Sequence, residues 1–74
     1  MDIRVGQVME FVEPVSVDGR QIARGTRVRV AHIMHEVNGE RISLVLLGNP
    51  ETIVVDRHIV GVHCRPVADA PAQR

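Results

Sequence analysis

The segment from Ile42 to Val55, ISLVLLGNPETIVV, constrains the fold of this chain more than any other stretch. Its central Gly48-Asn49-Pro50 predicts a turn, so the segment is typical of two strands folded back on each other. A strand with one face in water alternates apolar and polar residues, yet Leu44 to Leu47 is an unbroken apolar run. Both faces of this strand therefore need a cover.

Alternation assigns the apolar side chains of this hairpin to two faces. The first face is expected to form the core, and it holds Ile42, Leu44, Leu46, Ile53 and Val55. Val45, Leu47 and Val54 fall on the second face. Because soluble proteins rarely expose contiguous apolar patches beside strand edges, we predict that these three residues form an interface in a homodimer or higher oligomer. A β-bulge near Leu46 that turns the whole run inward is the alternative.

The rest of the chain has the pattern of a small all-β domain. With 74 residues the chain has room for one small core. We assign residues 1–67 to a single domain and expect the small and polar residues 68–74 to be a disordered tail. Valine and isoleucine are abundant, and turn signals recur about every ten residues, as expected for five to six short antiparallel strands.

Three local signals refine this assignment. Asp18-Gly19 predicts a tight turn, and Asn38-Gly39 predicts a hairpin with a type I′ turn, in which both central residues have positive φ. Asp56 is placed to cap a single 3₁₀ turn before a short last strand in the segment GVHCRPV. We expect the first strand around Val5 to Val12 and a long strand from Arg27 to His35.

The order of these elements resembles the SH3-like barrels. A long first loop, three hairpin-connected strands, a 3₁₀ turn and a last strand would cover Ile3 to Val67. The resemblance implies a small barrel of antiparallel strands and does not specify an activity.

A narrower resemblance covers residues 25–60. This stretch is similar to the hairpin core of the carbon storage regulator family of RNA-binding dimers, which has a G-x-x-V-x-V strand, a glycine hairpin, a proline turn and a V-x-R strand end. The matching residues here are Gly25, Val28, Val30, Gly39, Pro50, Val55 and Arg57. The resemblance implies an RNA contact for Arg57. The opening MDIRVGQVM and the final GVHCRPV depart from the family, which begins with a leucine-rich strand and ends in a helix.

The chain has no net charge, but the positions of its arginines indicate an alternative function. The stretch from Gly19 to His35 contains four arginines and no acid, and Arg27 and Arg29 share one face of their strand. With Arg57 these residues could contact the phosphates of a nucleic acid. The proposed contact set is Arg20, Arg24, Arg27, Arg29 and Arg57. Phe11 is the only aromatic residue, so the stacking platform typical of single-strand binders is missing. We therefore predict a binding or regulatory module that acts through self-association and protein contacts, with RNA binding as the alternative.

No pattern indicates catalysis, a cofactor or a metal. His32 and His35 would point to opposite faces of a strand, and no recurring C-x₂-C or H-x₃₋₅-H spacing is present, so we expect no metal site. Whether His32, His58 and Cys64 meet in space is left open. Cys64 is expected to be a small buried hydrophobe. A single cysteine, no leader-like segment and no long apolar run predict a cytoplasmic, non-enzymatic protein without a membrane segment.

Overall fold

The structure is a computed structural model that describes residues 3–49 and 51–67. Pro50 and the predicted tail at 68–74 lie outside the described residues. The all-β class is confirmed, since residues 3–49 and 51–67 form seven strands and one short helix. In chain order the elements are β1 (Val8–Phe11), β2 (Val15–Val17), β3 (Arg20–Ile22), β4 (Arg27–Glu36), β5 (Gly39–Leu46), β6 (Thr52–Asp56), α1 (Arg57–His63) and β7 (Cys64–Pro66).

Five strands form an antiparallel sheet in the order β6-β5-β4-β1-β7. The last strand therefore returns beside the first, while β4, β5 and β6 follow one another as a meander. The sheet is open rather than closed into the barrel that the sequence predicted, because β6 and β7 are its two edges and no ladder joins them in the described part of the chain. β2 and β3 form a separate hairpin, which raises the strand count above the predicted five to six.

The long strand β4 contains a β-bulge. Val30 pairs with Leu44 of β5, but the next pair is His32 with Ser43, so Ala31 is the extra residue. The bulge explains why the buried positions change phase, from Val28 and Val30 before it to the half-buried Ile33 after it. The alternative bulge near Leu46 is wrong, because β5 keeps a regular register with β6 and the irregularity lies in the opposite strand.

The predicted turns are present, and one differs in type. Asp18 and Gly19 have φ of 50° and 77°, as expected for a tight turn between β2 and β3. The Asn38-Gly39 hairpin is confirmed, but its turn is not type I′. Glu36 pairs with Gly39, which makes Val37 and Asn38 the central residues, and only Gly39 has a positive φ, at 126°.

The core lies on one face of the sheet, between the sheet, the β2–β3 hairpin and α1. Phe11, Met9, Val28, Leu44 and Val60 are completely buried. The predicted inward face of the β5–β6 hairpin is confirmed by the burial of Ile42, Leu44, Ile53 and Val55, and Leu46 is partly buried against the same core.

The predicted 3₁₀ turn is a seven-residue α-helix. Asp56 is the N-cap residue, as the sequence predicted, although its side chain makes no capping hydrogen bond. The helix buries Val60 and packs beside the core through Ile59. Since β-branched residues disfavour a helix, this tertiary packing outweighs the local preference.

Candidate interaction surface

The outer face of the sheet, opposite the core, carries the residues that the sequence assigned to an interface. The register places Val45 of β5 between Arg29 of β4 and Thr52 of β6. Val8 of β1 lies on the other side of Arg29. We call this row, together with Leu47 and Val54, the outer face. The outer face thus has apolar side chains on three of its five strands, although the core is on the opposite side.

The three predicted interface residues lie on the outer face as expected, and they differ in exposure. Val45 and Val54 are half-buried, whereas Leu47 is 41% exposed. Leu47 follows β5 and donates its backbone N–H to the carbonyl of Arg27 at 3.0 Å. This bond holds the segment after β5 against β4, so the leucine side chain is presented on a fixed backbone.

A groove lies where the outer face ends, along β6. Two cavities, of about 190 Å³ and 350 Å³, lie between β6 and the β2–β3 hairpin, and Val54 and Val17 line both. An ion pair between Arg20 of the hairpin and Glu51 crosses near one end of β6. The sequence did not predict this groove, because β2 and β3 have only three residues each and show no clear alternation.

Two of the five predicted nucleic-acid contacts lie together on the outer face. Arg27 and Arg29 are both exposed on β4, on either side of the buried Val28. The guanidinium of Arg29 donates to the carbonyl oxygen of Gly6 at 3.1 Å, which holds it close to the sheet. Arg27 is paired in register with Glu10, whose carboxylate accepts from Arg65 at 3.2 Å on the neighbouring strand.

The other three arginines do not lie on β4. Arg20 pairs with Glu51 beside β6. Arg57 begins α1 and donates to the carboxylate of Glu40 at 2.9 Å. Arg24 is exposed in the turn before β4 and lines a cavity of about 200 Å³ together with Glu10 and Arg65. The five arginines therefore do not form one continuous surface.

A cavity of about 470 Å³ lies at the tip of the β4–β5 hairpin. Charged side chains of both signs surround it: Glu36, Glu40, Arg41, Asp56 and Arg57. Opposite charges pair across it, since Glu40 contacts both Arg57 and His35, and Asp56 lies 3.9 Å from the Nε of Arg41. The cavity arises because the hairpin tip folds next to the junction of β6 and α1.

The histidines and the cysteine do not converge. His32 and His58 are exposed, whereas Cys64 is buried in the core and pairs in register with Phe11. Burial raises the pKa of Cys64 from 9.0 to about 12, which leaves it a protonated and unreactive thiol at neutral pH. Among residues 3–49 and 51–67, no three His, Cys, Asp or Glu side chains are grouped so that they could hold a metal ion.

Comparison with protein-family models, with curated proteins and with solved structures finds no match to this chain. Within the described residues, no helix has the length and apolar character needed to span a membrane.

Proposed function

We propose that this chain is a non-enzymatic binding module of the cytoplasm, built on an SH3-like arrangement of strands, that self-associates through its outer face. The strand order supports the SH3-like assignment, because a hairpin excursion follows β1, a three-strand meander comes next, and the strand after α1 returns beside β1. The interface consists of Val45, Leu47 and Val54.

One observation carries this proposal. The core is already complete on the inner face, yet the opposite face of the same sheet still presents Val8, Val45, Leu47 and Val54. Contiguous apolar patches mark interaction sites, and the removal of apolar surface from water favours association by about 25 cal/mol per Å².

A Leu47→Lys variant tests the outer face. Leu47 is partly exposed and lies outside the core cluster, so the variant should fold while its charge opposes burial in an interface. We expect sedimentation velocity to show a smaller assembly than wild type, with an unchanged circular dichroism spectrum. Val37→Lys, which adds the same charge at the fully exposed hairpin tip, is the matched control and should keep the wild-type mass. An unchanged mass for folded Leu47→Lys would refute the outer-face contact.

RNA binding is the second candidate function, and Arg27 and Arg24 support it. No carboxylate pairs with either guanidinium among the described residues, so both are available to phosphates. We expect Arg27→Ala to weaken RNA binding in a low-salt mobility-shift assay and to reduce the salt dependence by about one phosphate contact. Arg20→Ala is the matched control, because Arg20 is already paired with Glu51. Absence of any shift at low salt would eliminate this function.

A further inference from the structure

The outer edge of β6 has backbone groups without partners. Leu46 donates its N–H to the carbonyl of Glu51 at 2.9 Å, which fixes the alternation of the β5–β6 ladder. Counting from that bond, Ile53 and Val55 direct their backbone groups to β5. Thr52, Val54 and Asp56 therefore direct theirs away from β5, toward the groove. The described chain supplies no backbone partner for the N–H and C=O of Val54.

The two edges of the sheet differ in how they resist pairing. β7 has only three residues, and it contains Pro66, which has no N–H to donate, and the charged Arg65. These features are typical of protected edges. β6 has five residues, with the sequence TIVVD, and none of them is proline or lysine. Its ladder with β5 has no bulge. Its only charged residue is Asp56, at the end next to α1.

The hairpin beside β6 does not complete this edge. Val15 and Ile22 anchor β2 and β3 in the core, and Val17 packs against it. The space between the hairpin and β6 is occupied by the two cavities of the groove rather than by a β-ladder. The hairpin is thus attached to the core and reaches one end of β6 through the Arg20–Glu51 ion pair, and no strand of the described chain pairs with the outer edge of β6.

The sequence of β6 is complementary to itself. If two copies pair antiparallel about a two-fold axis at Val54, the two Val54 residues face each other and exchange two backbone hydrogen bonds. Thr52 of each copy then faces Asp56 of the other, where the Asp56 N–H can donate to the Thr52 carbonyl. The Thr52 hydroxyl can also donate to the Asp56 carboxylate. No like charges meet in this register.

We propose that β6 pairs with the β6 strand of a second copy of this chain, which joins two five-stranded sheets into one continuous sheet. This inference rests on the proposed self-association but uses different atoms, since it depends on the backbone of one edge rather than on side chains of the outer face. The two-fold axis of the edge pair is perpendicular to the sheet, whereas that of a face contact lies in its plane. Two such axes close a tetramer with D2 symmetry where they intersect at right angles, and this is the assembly that we expect when both contacts form.

A Val54→Pro variant tests the edge pair, because proline removes the central N–H without removing a bond to β5. We expect the dissociation constant of the edge contact to rise by about tenfold or more, since two hydrogen bonds are lost at the axis. Val54→Thr is the matched control, because it changes the side chain on the outer face but keeps the N–H, so a loss of mass shared by both Val54 variants is assigned to the outer face and not to the edge. Sedimentation should give a tetramer for wild type, dimers for Val54→Pro and for Leu47→Lys, and a monomer for the double variant.

The outcomes separate the two proposals. A wild-type mass for Val54→Pro, or a monomer for Leu47→Lys alone, would overturn the edge pair and leave the outer-face contact standing. Loss of mass in Val54→Pro with none in Leu47→Lys would support the edge pair and overturn the outer-face contact. A wild-type monomer would overturn both. If Val54→Pro does not fold, hydrogen exchange of wild type decides, because the Val54 amide should become more protected as the protein concentration rises, and a concentration-independent rate would overturn the edge pair.

Discussion

Alkaline pH should destabilise this domain through one thiol. Cys64 is only 5% exposed, and its burial raises the pKa from 9.0 to about 12. The chain has nine arginines and neither lysine nor tyrosine, so no other side chain titrates between about pH 9 and 12. The pH dependence of stability in this range can therefore be assigned to Cys64.

The direction of the pKa change determines whether stability rises or falls with pH. The folded state keeps the thiol proton that the unfolded chain releases above pH 9, so the stabilising effect is complete below pH 9 and is lost between pH 9 and 12. The loss is about 2 kcal/mol at pH 10.5 and approaches about 4 kcal/mol at pH 12. The free energy of unfolding of a domain of this length is roughly 4 to 11 kcal/mol in total, so the effect is large enough to measure.

Urea unfolding under reducing conditions at pH 8, 9.5 and 10.5 measures this effect. The control is Cys64→Ala, which has no thiol to ionise and should show a nearly constant free energy of unfolding over the same range. The comparison uses the change with pH, so the cost of the smaller side chain cancels. Parallel pH profiles for wild type and Cys64→Ala would refute the assignment.

Three further predictions concern the fold. Phe11→Ala should lower the free energy of unfolding by about 3 to 5 kcal/mol in urea titrations, because the ring is completely buried, whereas a change below about 1 kcal/mol would contradict its central place in the core. Gly39→Val should destabilise the β4–β5 hairpin and lower the melting temperature, because φ of 126° strains a β-branched residue; an unchanged melting temperature would count against this turn geometry. Glu13→Gln removes the negative charge from a 2.5 Å contact with His63. Because that pair is partly exposed, we expect a loss below about 1 kcal/mol by thermal unfolding, and a much larger loss would show that the pair is effectively buried.

The β5–β6 hairpin could be predicted because two apolar runs flank turn residues that are specific. Ile42, Leu44, Ile53 and Val55 are buried as the pattern indicates, and Leu47 is on the opposite side. The apolar pattern of a strand shows directly which residues share a face. It does not show what covers the second face, so the interface at Val45, Leu47 and Val54 stays a prediction.

Other features could not be predicted because they depend on contacts between distant segments. The β2–β3 hairpin has strands too short for a periodic signal, and α1 has a sequence, RHIVGVH, whose β-branched residues favour a strand. The large polar cavity requires the hairpin tip at Asn38 to meet the junction at Arg57, and the two positions are far apart in the chain. Proximity in the sequence groups Arg20, Arg24, Arg27 and Arg29, and the family resemblance adds Arg57, but Arg20 and Arg57 form ion pairs with Glu51 and Glu40 in the folded chain.

The bulge in β4 also determines where this domain can change in length. Ala31 is the extra residue, so its deletion would leave Val30 opposite Leu44 and Ile33 opposite Ile42 as they are now. Deletion of Arg29 would instead make Val28 and Val30 neighbours and turn one of them out of the core. A strand that is intolerant of length variation elsewhere can lose a residue at this one site, so natural variants one residue shorter in β4 are expected to lack Ala31.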